Sequence, residues 1–180
     1  QRGCGAGTHR VEATGRWQAG AMSAHVHTYR TEVTWAGTTA VGYDAYVRDH
    51  TLRTPTVDVG LALSGDVAFR GDPARWNPEQ LLVASASSCQ LLSFLAVCAR
   101  ARIDVVAYRD EAHGVMPEDD PPLRVTRIEL HPVITLADTG RERPTAERLA
   151  HLTEVAHREC FIANSLRTEV VVTPTFTWSG

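Results

Sequence analysis

The order of apolar and polar positions divides the chain into three regimes. Residues 27–35 (HTYRTEVTW) alternate and are rich in β-branched and aromatic side chains, which predicts a strand. Ala36-Gly37 supplies a turn and residues 40–47 a second strand, so the two predict a hairpin. From 48 to 76 the pattern breaks up around Pro55, Gly60, Gly65, Gly71 and Pro73, and only 61–63 or 66–69 offer a short strand. A loop of this length is uncommon in a compact domain unless it shapes a site.

At Asn77-Pro78-Glu79-Gln80 the pattern changes. Asn is a favoured N-cap, Pro suits the first helical position, and Glu and Gln suit the first turn, so a helix starts at Pro78. It runs to about Ala101 through LLVASASSC and LLSFLAVCA with hardly any polar face. A helix apolar on all sides belongs in a core or an interface. At about 1.5 Å per residue it would span roughly 36 Å, more than one chain of this size needs, so a second subunit is expected to cover part of it. Residues 103–116 and 123–136 then predict two strands joined by PEDDPP. In the second, Ile128 and Leu130 oppose Arg127, Glu129 and His131, as in an antiparallel sheet with one solvated face. Residues 144–159 predict an amphipathic helix and residues 169–178 a closing strand. The class is α+β.

Composition narrows the possibilities. A chain of 180 residues suits one domain with a substantial core. A net charge of −3 with no basic run argues against nucleic acid as a main partner. All 18 basic residues are Arg, so neither a Schiff-base lysine nor a P-loop lysine is available. No apolar stretch is taken to reach the roughly 20 residues that cross a bilayer, so no membrane partner is expected. Residues 1–21 lack the apolar core of a signal peptide and precede Met22. They are expected to be an extension containing Cys4, with 22–180 forming the domain. Cys89, Cys98 and Cys160 are an odd set without secretory signals and without zinc-type pair spacing. A disulfide framework and a metal site are therefore not expected, no cofactor is called for, and a reducing, cytoplasmic setting fits best.

A cysteine inside an apolar helix is most often a small hydrophobe, and Cys98 among Leu95, Ala96, Val97 and Ala99 reads that way. Cys89 has Ser85, Ser87 and Ser88 beside it, hydroxyls in an otherwise apolar helix, and small residues that leave room for a substrate. From the residues alone Cys89 is open to either reading.

The string Asn77-Pro78-Glu79-Gln80-Leu81-Leu82, followed by small residues to Ser88-Cys89, resembles the signature of the OsmC/Ohr family. Cys160, leaving a helix and followed by Ile162, Asn164-Ser165-Leu166 and a last strand, is similar to that family's second cysteine segment. Phe161 departs from the Pro that many members carry there, and residues 69–76 (FRGDPARW) look like a subgroup feature. The resemblance implies antiparallel sheets packed on a long central helix in an intertwined homodimer, with active sites at the subunit interface. It also implies a peroxidase cycle: Cys89 attacks an organic hydroperoxide, or hydrogen peroxide, and becomes a sulfenic acid. Cys160 then condenses with it to a disulfide, and an external dithiol of lipoyl type reduces the pair. An arginine activates the thiol in such a site; Arg70 matches the OsmC branch and Arg48 the Ohr branch, with Glu79 orienting the guanidinium.

Physical chemistry adds a requirement. A free thiol with a pKa near 8.5 is only a few per cent ionised at pH 7. Cys89 lies about three turns into its helix, too deep for the N-terminal dipole to help. Glu79 and Cys89 would also stand about 15 Å apart along one straight helix, so a bend or a second chain is needed to unite them. Leu91, Leu92 and Phe94 are expected to line an apolar pocket by Cys89, and His50 to border the site loop. Three other readings stay open: a ligand-binding or stress-response module on the same fold, a Cys-His hydrolase, and a zinc site built on Cys89 and Cys160.

Overall fold

The structure, a computed structural model, describes residues 26–140 and 142–180. The expected extension over 1–21, with Cys4, lies outside the described residues. Thr31–Gly180 forms one unit, and the description below concerns that unit alone.

Three strands come first: β1 (Glu32–Thr34), β2 (His50–Thr54) and β3 (Val57–Leu63). They form an antiparallel sheet in the order β1-β2-β3. The hairpin therefore falls between β2 and β3, turning at Pro55-Thr56, in the stretch expected to be mostly loop. Residues 40–47 are turn rather than strand, because local bonds satisfy the backbone there: the Gly42 N–H donates to the Thr39 carbonyl, and those of Ala45 and Tyr46 donate to Gly42. The strand expected over 27–35 is confined to β1.

A tightly tied loop leads into the central helix. A 3-10 turn at Val67–Phe69 is capped by the Asp66 carboxylate, which accepts from Ala68 N–H at 2.8 Å. Gly71 passes so close to Gly65 that an added Cβ would sit 1.6 Å from its carbonyl oxygen, which only glycine permits. Helix α1 (Pro78–Ala101) begins as the capping residues predict. Asn77 Oδ1 accepts from Gln80 N–H at 2.7 Å, and Gln80 Oε1 accepts from Asn77 N–H at 3.1 Å. The Asn77 amide also donates to Asp66 at 3.0 Å, which binds the loop to the helix start.

Beyond α1 each long strand expected from the sequence is broken in two. Residues 103–116 give β4 (Val105–Asp110) and β5 (His113–Val115), and 123–136 give β6 (Arg127–Leu130) and β7 (Pro132–Leu136). Pro132, with no N–H to donate, stands at the break between β6 and β7. Helices α2 (Ala146–Arg158) and α3 (Phe161–Ser165) follow, then β8 (Glu169–Val172) and β9 (Thr175–Trp178).

The sheets β4-β7-β9 and β5-β6-β8 are mixed rather than wholly antiparallel, since β8 runs parallel to β6 and β9 parallel to β7. The α2–α3 connection is the cause: a helical crossover returns the chain in the same direction. Two core clusters result. Phe94, Val97 and Cys98 of α1 meet Ile134, Leu136, Leu149 and Leu152, while Ala86 meets Ile128 and Leu130. The alternation in β6 holds, with Ile128 and Leu130 buried and Arg127 and Glu129 turned outward.

α1 requires one correction. It is long and apolar enough to cross a bilayer by length and composition, with a mean hydropathy of 1.9 in its most apolar 18-residue window. Its packing against α2, α3 and three strands makes it the central helix of the domain. It is not covered all round, however: Ala84, Ser88, Leu92, Ala96 and Ala99 form an exposed stripe, with Leu92 63% accessible.

Replacing Asn77 by Ala removes the capping bond from Gln80 N–H and the tie to Asp66, and leaves the bond from the residue-77 backbone N–H to Gln80. A loss of about 1–2 kcal/mol is expected in urea denaturation, and an unchanged midpoint would contradict the capping role.

Candidate active site around Cys89 and Cys160

Cys89 sits on α1, half-buried, and its side chain faces the α2–α3 junction. The backbone N–H of Ile162, in the first turn of α3, donates to Cys89 Sγ at 3.4 Å. Cys160 immediately precedes α3 and is 1% exposed. Its thiol lies near Cys89, and both cysteines are free. The junction is well bonded. The Cys160 N–H donates to the His157 carbonyl at 3.1 Å, Asn164 N–H to the Cys160 carbonyl at 3.0 Å, and Asn164 Nδ2 to the Arg158 carbonyl at 2.9 Å.

The two thiols differ in their surroundings. Burial pushes the Cys160 thiol up from an ordinary 9.0 to about 11, and its contact with Cys89 pushes in the same direction. The backbone N–H groups of Ala163 and Ile162 work against that rise without cancelling it. Cys160 is therefore held as the neutral thiol at physiological pH. Cys98, deep in the first core cluster, is likewise pushed up to about 11 by burial, as the reading of it as a small hydrophobe requires.

The other expected site residues lie elsewhere in the chain. Glu79 is in the first turn of α1, ten residues before Cys89 on one unbroken helix, about 15 Å along the axis. Its Oε2 is buried without a hydrogen-bond partner among the described residues. Arg70 pairs with Asp44 at 2.9 Å and is half exposed. Arg48 donates to the carbonyls of Tyr46 and Tyr43 at 2.8 and 2.7 Å, with its guanidinium 4.0 Å from the Tyr46 ring centre. Among the described residues, no arginine of the same chain pairs with Glu79 or Cys89. One chain thus unites the two cysteines and leaves Glu79, Arg70 and Arg48 apart from them.

Several finer expectations are corrected. Two of the three hydroxyls expected to crowd Cys89 are engaged elsewhere, Ser85 Oγ donating to the Leu82 carbonyl and Ser87 Oγ to Asp110, while Ser88 lies on the exposed stripe. The three apolar neighbours also diverge with helical phase. Phe94 is core, Leu92 is exposed, and Leu91 lines a cleft of about 800 Å³ together with Glu79, Ser87, Tyr108 and Asp110. Cys89 is not among the residues lining that cleft. His50 lines a second cleft of about 660 Å³, with Arg48, Tyr43 and Trp35. Among the described residues no three His, Cys, Asp or Glu side chains are grouped to hold a metal ion.

Sequence reasoning missed the Ile162 N–H. A backbone donor carries no residue-type signal, and only the turn geometry after Cys160 reveals it.

The profile of the OsmC-like protein family matches residues 71–175, more than half of the chain. The chain belongs to the OsmC-like protein family. No curated protein matches the sequence. Among solved structures, it is similar to an OsmC-like protein of unknown function from Vibrio cholerae, with 29% identity and a TM-score of 0.74 over 83% of this chain and 100% of that one. An organic hydroperoxide resistance protein from Elizabethkingia anophelis matches with 19% identity and a TM-score of 0.64, over 87% and 99% of the two chains. The organic hydroperoxide resistance protein OhrB of Bacillus subtilis matches with 18% identity and a TM-score of 0.51, over 83% and 98%. These likenesses bear out the OsmC-like fold inferred from the NPE-to-cysteine string. Both cysteines of the pair fall within the matched segment.

The raised thiols fix a pH dependence. A group whose pKa is higher in the folded state stabilises the fold fully below its ordinary value and loses that contribution as pH climbs through the folded value. Stability is thus expected to decline between pH 9.0 and about 11, and Cys98→Ala should flatten that decline. Denaturation midpoints that stay level across this range in the unaltered protein would contradict the assignment.

Proposed function

We propose that this OsmC-like protein is a thiol-dependent peroxidase that reduces organic hydroperoxides, and hydrogen peroxide as a secondary substrate. The observation that carries the reading is the contact between Cys89 and Cys160, the former accessible and the latter buried and neutral. Relatives of the same fold include proteins described as organic hydroperoxide resistance proteins, which makes this chemistry the natural one for the pair.

In the proposed cycle the Cys89 thiolate attacks the distal peroxide oxygen, the O–O bond breaks, and the alkoxide leaves as alcohol after taking a proton. Cys89 is left as a sulfenic acid. The Cys160 sulfur then attacks the Cys89 sulfur; the S–O bond breaks, and the hydroxide departs as water with the Cys160 proton. An external dithiol of lipoyl type restores both thiols by exchange. No cofactor takes part.

That no described residue donates to the buried Oε2 of Glu79, and that no described arginine bonds Cys89, fit a site completed by a second copy. The exposed stripe of α1 and the exposed valines of the first sheet, Val33, Val57 and Val59, supply apolar surface for such a homodimer. Arg70, with Arg48 as the second choice, would then reach Cys89 and Glu79 of assembled chains and bind the peroxide oxygens. A cytoplasmic, reducing setting completes the reading. A second reading, a ligand-binding or stress-response module on the same fold, draws support from the 800 Å³ cleft on the α1 face not occupied by Cys89.

The test is stopped-flow consumption of cumene hydroperoxide and of hydrogen peroxide with a dihydrolipoyl reductant. Multiple turnovers are expected, faster with the organic peroxide, and Cys89→Ser should lower kcat/KM by at least about a thousandfold, as for loss of a nucleophile. Consumption unaffected by Cys89→Ser would favour the binding-module reading instead.

A further inference from the structure

The α2–α3 elbow performs a task that its sequence position alone does not reveal. α2 ends at Arg158 with carbonyls that no longer find helical partners. Asn164, from the middle of α3, turns its side-chain amide back onto the Arg158 carbonyl at 2.9 Å, across the residues that include Cys160. The Asn164 backbone N–H closes on the Cys160 carbonyl at 3.0 Å, and Ser165 Oγ donates to the Phe161 carbonyl at 2.7 Å. The elbow so fixed carries both the Cys160 sulfur and the Ile162 N–H that meets Cys89 Sγ.

We propose that Asn164 is a positioning residue for the resolving step: by clasping the end of α2 it holds Cys160 against Cys89, so that the sulfenic acid is captured as a disulfide. The proposal rests on the reading of Cys89 and Cys160 as a reacting pair.

Proximity is what this step needs. A thiol pushed up to about 11 supplies very little thiolate at neutral pH, so a fast condensation cannot come from ionisation. It must come from effective concentration, which a held elbow supplies and a loose one forfeits. The bonds balance as in the cycle above: the S–S bond forms, the S–O bond of the sulfenic acid breaks, and water leaves. The oxidant is the hydroperoxide that made the sulfenic acid. The Phe161 side chain, 78% exposed, lies outside the packing, and the Asn164 amide is the side-chain tie that reaches back from α3 to the end of α2.

The test uses Asn164→Asp, nearly isosteric but unable to donate to the Arg158 carbonyl, and Asn164→Ala as a second variant. The side chain is exposed, so both are expected to fold. The first readout is the equilibrium between thiols and disulfide in a dithiothreitol redox buffer, which needs no peroxide. Each variant is expected to lower the effective concentration of the pair by about threefold or more, the worth of one net hydrogen bond. The second readout is the product on Cys89 after peroxide treatment, in which sulfinic acid should rise at the expense of disulfide. An effective concentration and a sulfinic fraction equal to those of the unaltered protein, in either variant, would overturn the role of Asn164. Failure of the unaltered protein to consume peroxide would instead sink the peroxidase reading, and the redox-buffer result would still stand on its own.

Discussion

A 24-residue helix with almost no polar face is the constraint on which the rest depends. Such a helix is tolerable in water only if other elements cover it, and nearly every later feature of the fold is a way of covering α1. α2 and the strands β4 and β7 cover its C-terminal half through Phe94, Val97 and Cys98, and β6 and β8 cover its middle at Ala86. The stripe from Ala84 to Ala99 is what one chain leaves open. Cys89 borders that stripe, and this gives it a degree of access that its neighbours toward the core do not have.

The same packing makes the two cysteines unequal. Cys160 is drawn into the interior at the α2–α3 elbow, where desolvation disfavours its charged form. Cys89 stays at the edge of cover, where a backbone N–H meets its sulfur. In the proposed cycle this difference would set the order of events, since oxidant would meet the more accessible sulfur of Cys89 first. The buried partner is left to act by position. The Oε2 of Glu79 belongs to the same logic: a buried carboxylate oxygen without a donor among the described residues is costly, and the proposed homodimer would offer it a guanidinium.

What the sequence disclosed follows from how local its signals were. α1 was legible to the residue, because Asn77, Pro78 and Gln80 form a capping box whose signals span only four positions. The alternation of Ile128 and Leu130 likewise gave the buried face of β6. The first hairpin was misplaced because Tyr43, Tyr46 and Val47 have strand character, while the turn at Gly42 and the clamp of Arg48 on two carbonyls overrode it. The parallel pairings of β8 and β9 were invisible, since they arise from the crossover and not from any residue. In the site, the motif identified both cysteines but not the Ile162 amide, and helical phase scattered Leu91, Leu92 and Phe94 to three different environments.

The account stands or falls on whether the Cys89–Cys160 contact is a reactive one. The direct measurement is peptide mass mapping after one equivalent of an organic hydroperoxide, with remaining thiols blocked by an alkylating agent. A Cys89–Cys160 disulfide with Cys98 recovered as the alkylated thiol is the expected product. Recovery of both Cys89 and Cys160 as alkylated thiols while the peroxide persists would contradict the account.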